Sequence, residues 1–295
     1  MGVTDRAGVL AFLQQNELKD LSIAEQRARM DTLSDFFPVP DGTEVEPAKV
    51  GGIPGEWVRA RRTRNDAALL YLHGGGYVVG SPKSHRHLAA ALSEASGQPV
   101  FSADYRLAPE HPFPAAVKDA VAAYKGLLES GIAPAKIAVA GDSAGGGLTI
   151  ATLVSLRDQG IPMPGCAVAI SPWADLTQGG ESYRARSKRD PMIRSEGLDQ
   201  MAAAYTGSAD PKTPLASPVY ADLHGLPPLL IQVGTEETLY DDTVRLASRA
   251  DAAGVEVSTE SWGGMMHVWH IFHPILSEGR DAVSRIGSYV KAHIG

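Results

Sequence analysis

Two glycine-flanked segments carry residues suited to acyl chemistry. They are His73-Gly74-Gly75-Gly76-Tyr77 and Gly141-Asp142-Ser143-Ala144-Gly145, roughly seventy residues apart. The second offers a hydroxyl, Ser143, as a nucleophile. Attack of a hydroxyl on an ester carbonyl leaves an alkoxide-like oxygen, which fixed N–H donors must meet. Losing one such donor typically costs about 3–4 kcal/mol of transition-state stabilisation. Ala144, next after the hydroxyl, can supply one N–H. Gly75 and Gly76 are candidates for the others, because glycine lets the backbone come close and turn its N–H inward. The chemistry implied is acyl transfer to water.

These residues need a particular frame. G-x-S-x-G arises readily by chance in a chain this rich in Gly and Ser, so context decides. Lys136–Ala140 reads as a strand, and Ala144-Gly145-Gly146-Gly147-Leu148-Thr149-Ile150 opens a helix. A strand, a tight turn and a helix are the setting of the nucleophile elbow of α/β-hydrolases. Ser143 then stands at a helix N-terminus, where the dipole favours developing negative charge. The glycine triplet follows another strand-like run, Ala68–Leu72, which is where the second half of an oxyanion hole belongs.

A base and an acid must follow the nucleophile in chain order. The late histidines are His267, His270, His273 and His293; the late acids are Glu236, Glu237, Asp241 and Asp242. Asp142 lies in the elbow itself and cannot reach around to orient an imidazole on another loop. His267 is singled out by position, after the strand-like run Val255–Ser261 and a Gly263-Gly264 turn. It would take the Ser143 proton and pass it to the leaving alcohol, while an acid fixed its tautomer. The acids follow the run Pro228–Val233, and several remain open on this reading. His85-Arg86-His87 lacks metal-ligand spacing and no Cys cluster accompanies it, so no metal and no cofactor is expected.

Composition bounds the rest. The 295 residues are 44% hydrophobic and 21% charged, ordinary for a globular protein. A net charge of −7 argues against a nucleic-acid partner. The single cysteine, Cys166, excludes an internal disulfide and reads as a small core residue. No apolar stretch reaches the roughly 18 residues of a membrane span. Met1–Asp20 lacks the basic-then-apolar order of a signal peptide. Met1-Gly2 would suit myristoylation, but Arg6 stands where Ser or Thr is needed. The expected location is the cytoplasm.

Continuous apolar runs at Ala68–Leu72, Pro99–Ala103, Lys136–Ala140, Cys166–Ser171 and Pro228–Val233 read as strands covered on both faces. Helical patterns at Ala115–Leu128 and Ala144–Asp158 alternate with them, which implies βαβ units and a mostly parallel sheet. Thr43–Val50 and Glu56–Arg62 suit a leading antiparallel hairpin, and Asp281–Ile294 a closing helix. Two stretches stand outside the alternation: Met1–Phe37, helical and polar with Val9, Leu10, Phe12 and Leu13, and Gly179–Thr213, which contains a helical piece at Ser195–Tyr205. Ligands of such sheets bind beyond the carboxyl ends of the strands, where insertions commonly act as lids. No internal repeat or linker splits the chain.

With these residues in hand, the chain from about Ala68 to its end resembles the hormone-sensitive-lipase-like (bacterial family IV) carboxylesterases of the α/β-hydrolase superfamily. The resemblance rests on His73-Gly74-Gly75-Gly76, on Gly141-Asp142-Ser143-Ala144-Gly145-Gly146, and on the long string from Asp104 to Ala116, Asp-Tyr-Arg-Leu-Ala-Pro-Glu-His-Pro-Phe-Pro-Ala-Ala. That string has no derivable catalytic role and is taken as structural. The resemblance implies an eight-stranded core sheet and a helical cap. It implies Ser143 as nucleophile, His267 as base, and Gly75, Gly76 and Ala144 as oxyanion donors. The family's Asp-Pro-Leu-x-Asp falls on Glu237-Thr238-Leu239-Tyr240-Asp241, so Glu237 takes the acid position with Glu where Asp is commoner. Asp241, further along, is a candidate partner to it.

The expected activity is a serine carboxylesterase for esters with short acyl chains. The alternatives are an acyltransferase using the same residues and a non-catalytic small-molecule receptor on the same fold. A long-chain lipase fits less well, because Gly179–Thr213 is polar and charged. Tyr77 and cap residues are expected to line the acyl or alcohol pocket, and the resemblance implies that a loop with this glycine triplet tolerates bulky alcohols. The expected organisation is a cap from 1–40 and 179–213 on a core from 41–178 and 214–295. The resemblance also makes the last strand, near Val255–Ser261, a candidate pairing edge for a homodimer.

Overall fold

In a computed structural model, residues 6–15 and 21–295 are described, the side chains of 33 and 34 excepted. The parts of the N-terminal stretch at 1–5 and 16–20, including Met1-Gly2, lie outside the described residues. The chain begins with helices α1 (Arg6–Gln15), α2 (Ile23–Asp31) and α3 (Leu33–Phe36), followed by the hairpin β1 (Glu44–Val50) and β2 (Ile53–Arg59). Strands and helices then alternate: β3 (Ala68–Leu72), α4 (Pro82–Ser96), β4 (Val100–Ala103), α5 (Ala115–Glu129), β5 (Ile137–Asp142), α6 (Ala144–Asp158) and β6 (Cys166–Ile170). The helices α7 (Ser182–Ala185) and α8 (Ser195–Thr206) interrupt before β7 (Leu229–Gly234), α9 (Tyr240–Ala252), β8 (Val257–Trp262) and α10 (Ser277–Ile294).

The strands form one eight-stranded sheet in the order β1-β2-β4-β3-β5-β6-β7-β8. It is parallel from β4 through β8, with β1 and β2 antiparallel at one edge. The apolar runs are continuous because both faces are covered. Leu70, Leu72, Ile137 and Val139 face a core shared with α5 and α6. Leu69, Tyr71, Ala138 and Ala140, one residue out of step, face a core shared with α4 and α10. Alternate side chains of a strand point to opposite faces, so a strand packed on both sides has no polar face to spare.

Boundaries differ locally from the sequence expectation. The second hairpin strand starts at Ile53, three residues before the expected Glu56, because Gly51 and Gly52 at positive φ close the turn at once and pair Val50 with Ile53. The late strand lies at Val257–Trp262, and the closing helix starts at Ser277. Helix α4, absent from the sequence reading, is defined by the cap Ser81, Pro82 in its first turn and a left-handed Gly97 at its end.

Register sets the site. Leu72 pairs with Gly141, and Asp142 with Ile170. Gly234 pairs with Trp262. The carboxyl ends of β3, β5, β6, β7 and β8 therefore lie along one edge. The segments that leave them begin at His73, Ser143, Ser171, Thr235 and Gly263.

Candidate active site

Ser143 sits between β5 and α6 with φ 54° and ψ −120°. A non-glycine residue there is strained, and persists only where its surroundings over-determine it. They do: its N–H donates to the Ile170 carbonyl at 2.8 Å, and its own carbonyl accepts from Trp173 at 2.8 Å. Gly145 shows why the turn needs small neighbours. A Cβ there would lie 1.9 Å from the Leu72 carbonyl oxygen and 2.6 Å from that of His73. The glycine-rich loop thus runs directly against the start of α6.

The imidazole of His267 stands 2.8 Å from the Ser143 Oγ through Nε2, and 3.0 Å from the Glu237 carboxylate through Nδ1. All three side chains are buried, Ser143 at 7%, His267 at 3% and Glu237 at 0% exposure. The acid turn and the histidine loop are laced together: Glu236 donates its N–H to the Met265 carbonyl, and Gly264 donates to the Thr235 hydroxyl at 2.9 Å. A Cβ on Gly234 would lie 2.2 Å from the Met265 oxygen, so no other residue permits this approach.

Glu237 takes more than the imidazole. Its Oε1 accepts from the Ser171 hydroxyl at 2.7 Å and the Gly234 N–H at 2.6 Å. Burial pushes its pKa up, against the restraining bonds from His267 and Gly234. Burial alone would lower the pKa of His267. The hydrogen bond and charge of Glu237 outweigh it and hold the imidazole above its ordinary value. The arrangement can withdraw a proton from a hydroxyl and stabilise the resulting imidazolium.

On the donor side, Gly75 and Gly76 lie at φ +112° and +61°, and Ala144 is the first residue of α6. Among the described residues, none of their N–H groups donates to a protein acceptor. Tyr77 is buried at φ 62°, its ring stacked on Tyr205 of α8 at 3.7 Å between centroids. Met201, also on α8, lies over Gly76, where a Cβ would come within 2.1 Å of its Sδ.

The remaining candidates lie elsewhere. Asp241 accepts from the Ser182 N–H at 2.9 Å and makes no bond to Glu237 or His267. Asp242 is buried against the N–H groups of Ala174 and Asp175, where burial raises its pKa to about 8. Glu236 pairs with Arg189. His270 bonds Gln232, His273 stacks on His87, and His293 bonds the Tyr289 carbonyl. Among the described residues no group of His, Cys, Asp or Glu could hold a metal ion.

Sequence reasoning missed Ser171 and Asp190. Ser171 orients Glu237 and also accepts the Val268 N–H at 3.2 Å. Its signal was its place at the carboxyl end of a strand. Asp190, buried, accepts the Thr238 N–H at 2.9 Å and so ties residues 179–213 to the acid turn. Nothing local in the sequence marks it.

Comparison with known proteins agrees with this geometry. Residues 69–271 match the alpha/beta hydrolase fold family. The chain is 51% identical over 257 residues to an acetyl-hydrolase of Streptomyces hygroscopicus, covering 87% of this chain and 85% of the relative. It is 34% identical over 264 residues to an esterase of Acinetobacter venetianus, covering 89% of this chain and 87% of the relative. An esterase of the bacterial hormone-sensitive lipase family superposes with a TM-score of 0.96 at 46% identity, over 98% of both chains. The chain therefore belongs to the α/β-hydrolases, in their hormone-sensitive-lipase-like branch, and is a carboxylic ester hydrolase. Among the described residues no helix is long and apolar enough to cross a membrane.

Proposed function

We propose that the protein is a serine carboxylesterase that cleaves small acyl esters through an acyl-enzyme. Ser143 Oγ attacks the ester carbonyl while His267 Nε2 takes its proton. The N–H groups of Gly75, Gly76 and Ala144 hold the oxyanion. His267 returns the proton to the departing alcohol, and water then repeats the sequence to release the acid. Glu237 keeps the Nδ1 proton in place and offsets the imidazolium charge. The observation that carries this reading is the continuous chain of contacts from Ser143 through His267 to Glu237, beside three N–H groups with no protein acceptor among the described residues.

Residues 1–40 and 179–213 act as a cap on a core of 41–178 and 214–295. Met201 over Gly76 and the Tyr77–Tyr205 stack support the place of 179–213 in it. The same contacts crowd the donor loop with large side chains, which favours a short acyl group, in keeping with the acetyl-hydrolase relative. Strand β8 ends the sheet, with Ser258, Thr259 and Ser261 exposed, and is the edge through which a second copy would pair.

The test is hydrolysis of p-nitrophenyl acetate, butyrate and octanoate, with a fluorophosphonate as covalent probe. The acetate and butyrate esters should turn over fastest. The probe should label Ser143, and Ser143→Ala should lose about 10⁴–10⁶-fold in kcat. Turnover at the wild-type level in Ser143→Ala would refute the mechanism. Added alcohol that captured most of the acyl group would instead make the protein an acyltransferase.

A further inference from the structure

The donor loop is short of bonds of its own. Gly75, Gly76 and Tyr77 all lie at positive φ, and among the described residues the local bonds of the loop are those from Val78 and Val79 to the Gly75 carbonyl and the contact of His73 Nδ1 with the Gly74 carbonyl. Glycines in such a loop lose much conformational freedom on folding and drift if nothing holds them. Yet oxyanion donors are useful only within about 2.7–3.1 Å of the developing charge. Something outside the loop must set its position.

The bonds that do so come from distant stretches. At the entrance, the Tyr105 hydroxyl donates to the His73 carbonyl at 2.6 Å, and the Tyr105 ring stacks on the His73 imidazole at 4.3 Å. Asp142 Oδ1 accepts the Gly74 N–H at 3.0 Å. At the exit, the Ala108 N–H donates to the Tyr77 carbonyl at 2.8 Å. Arg27, on α2, then closes the clamp. Its Nε donates to the Val78 carbonyl at 2.9 Å and its Nη2 to the Ala108 carbonyl at 2.9 Å. The far side of the guanidinium grips Glu110 through two bonds, at 2.9 and 2.7 Å. A planar fork can serve two carbonyls and a carboxylate together, which an ammonium cannot.

We propose that Arg27 and Tyr105 are positioning residues for the oxyanion loop, so that helix α2 and the string at 104–116 belong to the catalytic apparatus. This rests on the reading of Gly75 and Gly76 as oxyanion donors. The longest motif of the chain thereby acquires a role. Its tyrosine holds the start of the loop, its alanine holds the end, and its glutamate holds the arginine that bonds that alanine and Val78. A misplaced donor weakens the transition state more than it weakens substrate binding, so the loss belongs in kcat.

The experiment compares Arg27→Ala, Arg27→Lys, Tyr105→Phe and Glu110→Gln with the wild-type full chain on p-nitrophenyl acetate. Active sites are counted by complete fluorophosphonate labelling. Per labelled site, kcat should fall about 10–100-fold in Arg27→Ala and Tyr105→Phe, with KM within about twofold. Arg27→Lys should resemble Arg27→Ala, and free guanidinium should restore part of kcat in Arg27→Ala alone. Glu110→Gln alters an exposed carboxylate, so it reports even if Arg27→Ala does not fold; it should lose a few-fold in kcat. Wild-type kcat per site in Tyr105→Phe and Glu110→Gln would overturn the proposal, as would a loss confined to the number of active sites. If the probe labels a residue other than Ser143 in the wild type, the underlying functional reading fails instead.

Discussion

Glu237 and Asp142 are both deeply buried carboxylates, and each holds the same kinds of group. Glu237 binds the Ser171 hydroxyl, the Gly234 N–H and the imidazole of His267, which faces Ser143. Asp142 binds the Tyr71 hydroxyl, the Gly74 N–H and the imidazole of His85, which faces the hydroxyl of Ser84 at 2.8 Å. The molecule therefore contains two acid–imidazole–serine series built from one kit. Their surroundings set them apart. Ser84 lies inside the capping box of α4, its hydroxyl donating to the Ser81 carbonyl and accepting the Ser81 N–H. Ser143 stands on a strained turn beside N–H groups with no protein acceptor among the described residues. Residue types alone do not make a nucleophile; a hydroxyl free of structural duty, facing unspent donors, does.

The electrostatics divide the two further. Burial by itself would raise the pKa of Asp142, but the charge and hydrogen bond of His85 and the bond from Tyr71 bring it down to about 2. The Glu237 carboxyl moves the other way, upward, because burial prevails. The first is a structural carboxylate that stays charged. The second is the carboxylate bonded to His267, the acid of the proposed proton-transfer couple.

The sharpest way to break the comparison is Glu237→Gln. It should lower kcat by about 10³–10⁴-fold, as amides in place of the acid do in serine hydrolases. Asp142→Asn keeps an acceptor for Gly74 and should cost far less in kcat per folded molecule, while lowering thermal stability. Reversal of that ranking would exchange the roles assigned to the two acids. Next comes pH. His267 must be neutral to accept a proton, so kcat/KM should fall as pH drops through its pKa. Because Glu237 raises that pKa, the midpoint should lie above the ordinary value of about 6.5. In Glu237→Gln the midpoint should fall, since the strongest opposition to burial is lost and only the weaker charges of Asp190 and Asp142 still act against it; a stationary midpoint would detach the pair.

Ser171→Ala tests a support. It removes one bond to Glu237 and one to the Val268 N–H, and should lower kcat by about tenfold. The smallest expected effect is Ser84→Ala, in the inactive series. Loss of a capping bond should cost about 1 kcal/mol of stability, read as a few degrees in Tm, with kcat within about twofold. A large loss of kcat in Ser84→Ala would mean that the second series is not inert.

Much of the site was legible because it lies in contiguous motifs. The elbow and the glycine triplet carry their geometry in their own residues, since only small side chains fit where Gly145 passes Leu72 and His73. His267 was legible from chain order and from its place after a strand and a Gly-Gly turn. Glu237 was not separable from its acidic neighbours by spacing alone; the lacing of the two loops brings it, and not Asp241, to His267. Arg27 and Asp190 were invisible, because each acts on a backbone atom that only folding brings near; Ser171 offered only its place at the carboxyl end of a strand. The His85 cluster, set aside as a poor metal site, has a partner in Asp142 that no local pattern could announce.

By itself, then, the chain's order of residues determined the layered α/β architecture and singled out the candidate hydroxyl, the candidate base and the glycine loop, because hydrophobic period and glycine sterics act over a few neighbouring residues. Which carboxylate serves the base, and what grips the donor loop from outside, was decided by tertiary structure. Those depend on register along one sheet edge and on hydrogen bonds between segments tens of residues apart, which sequence spacing does not encode.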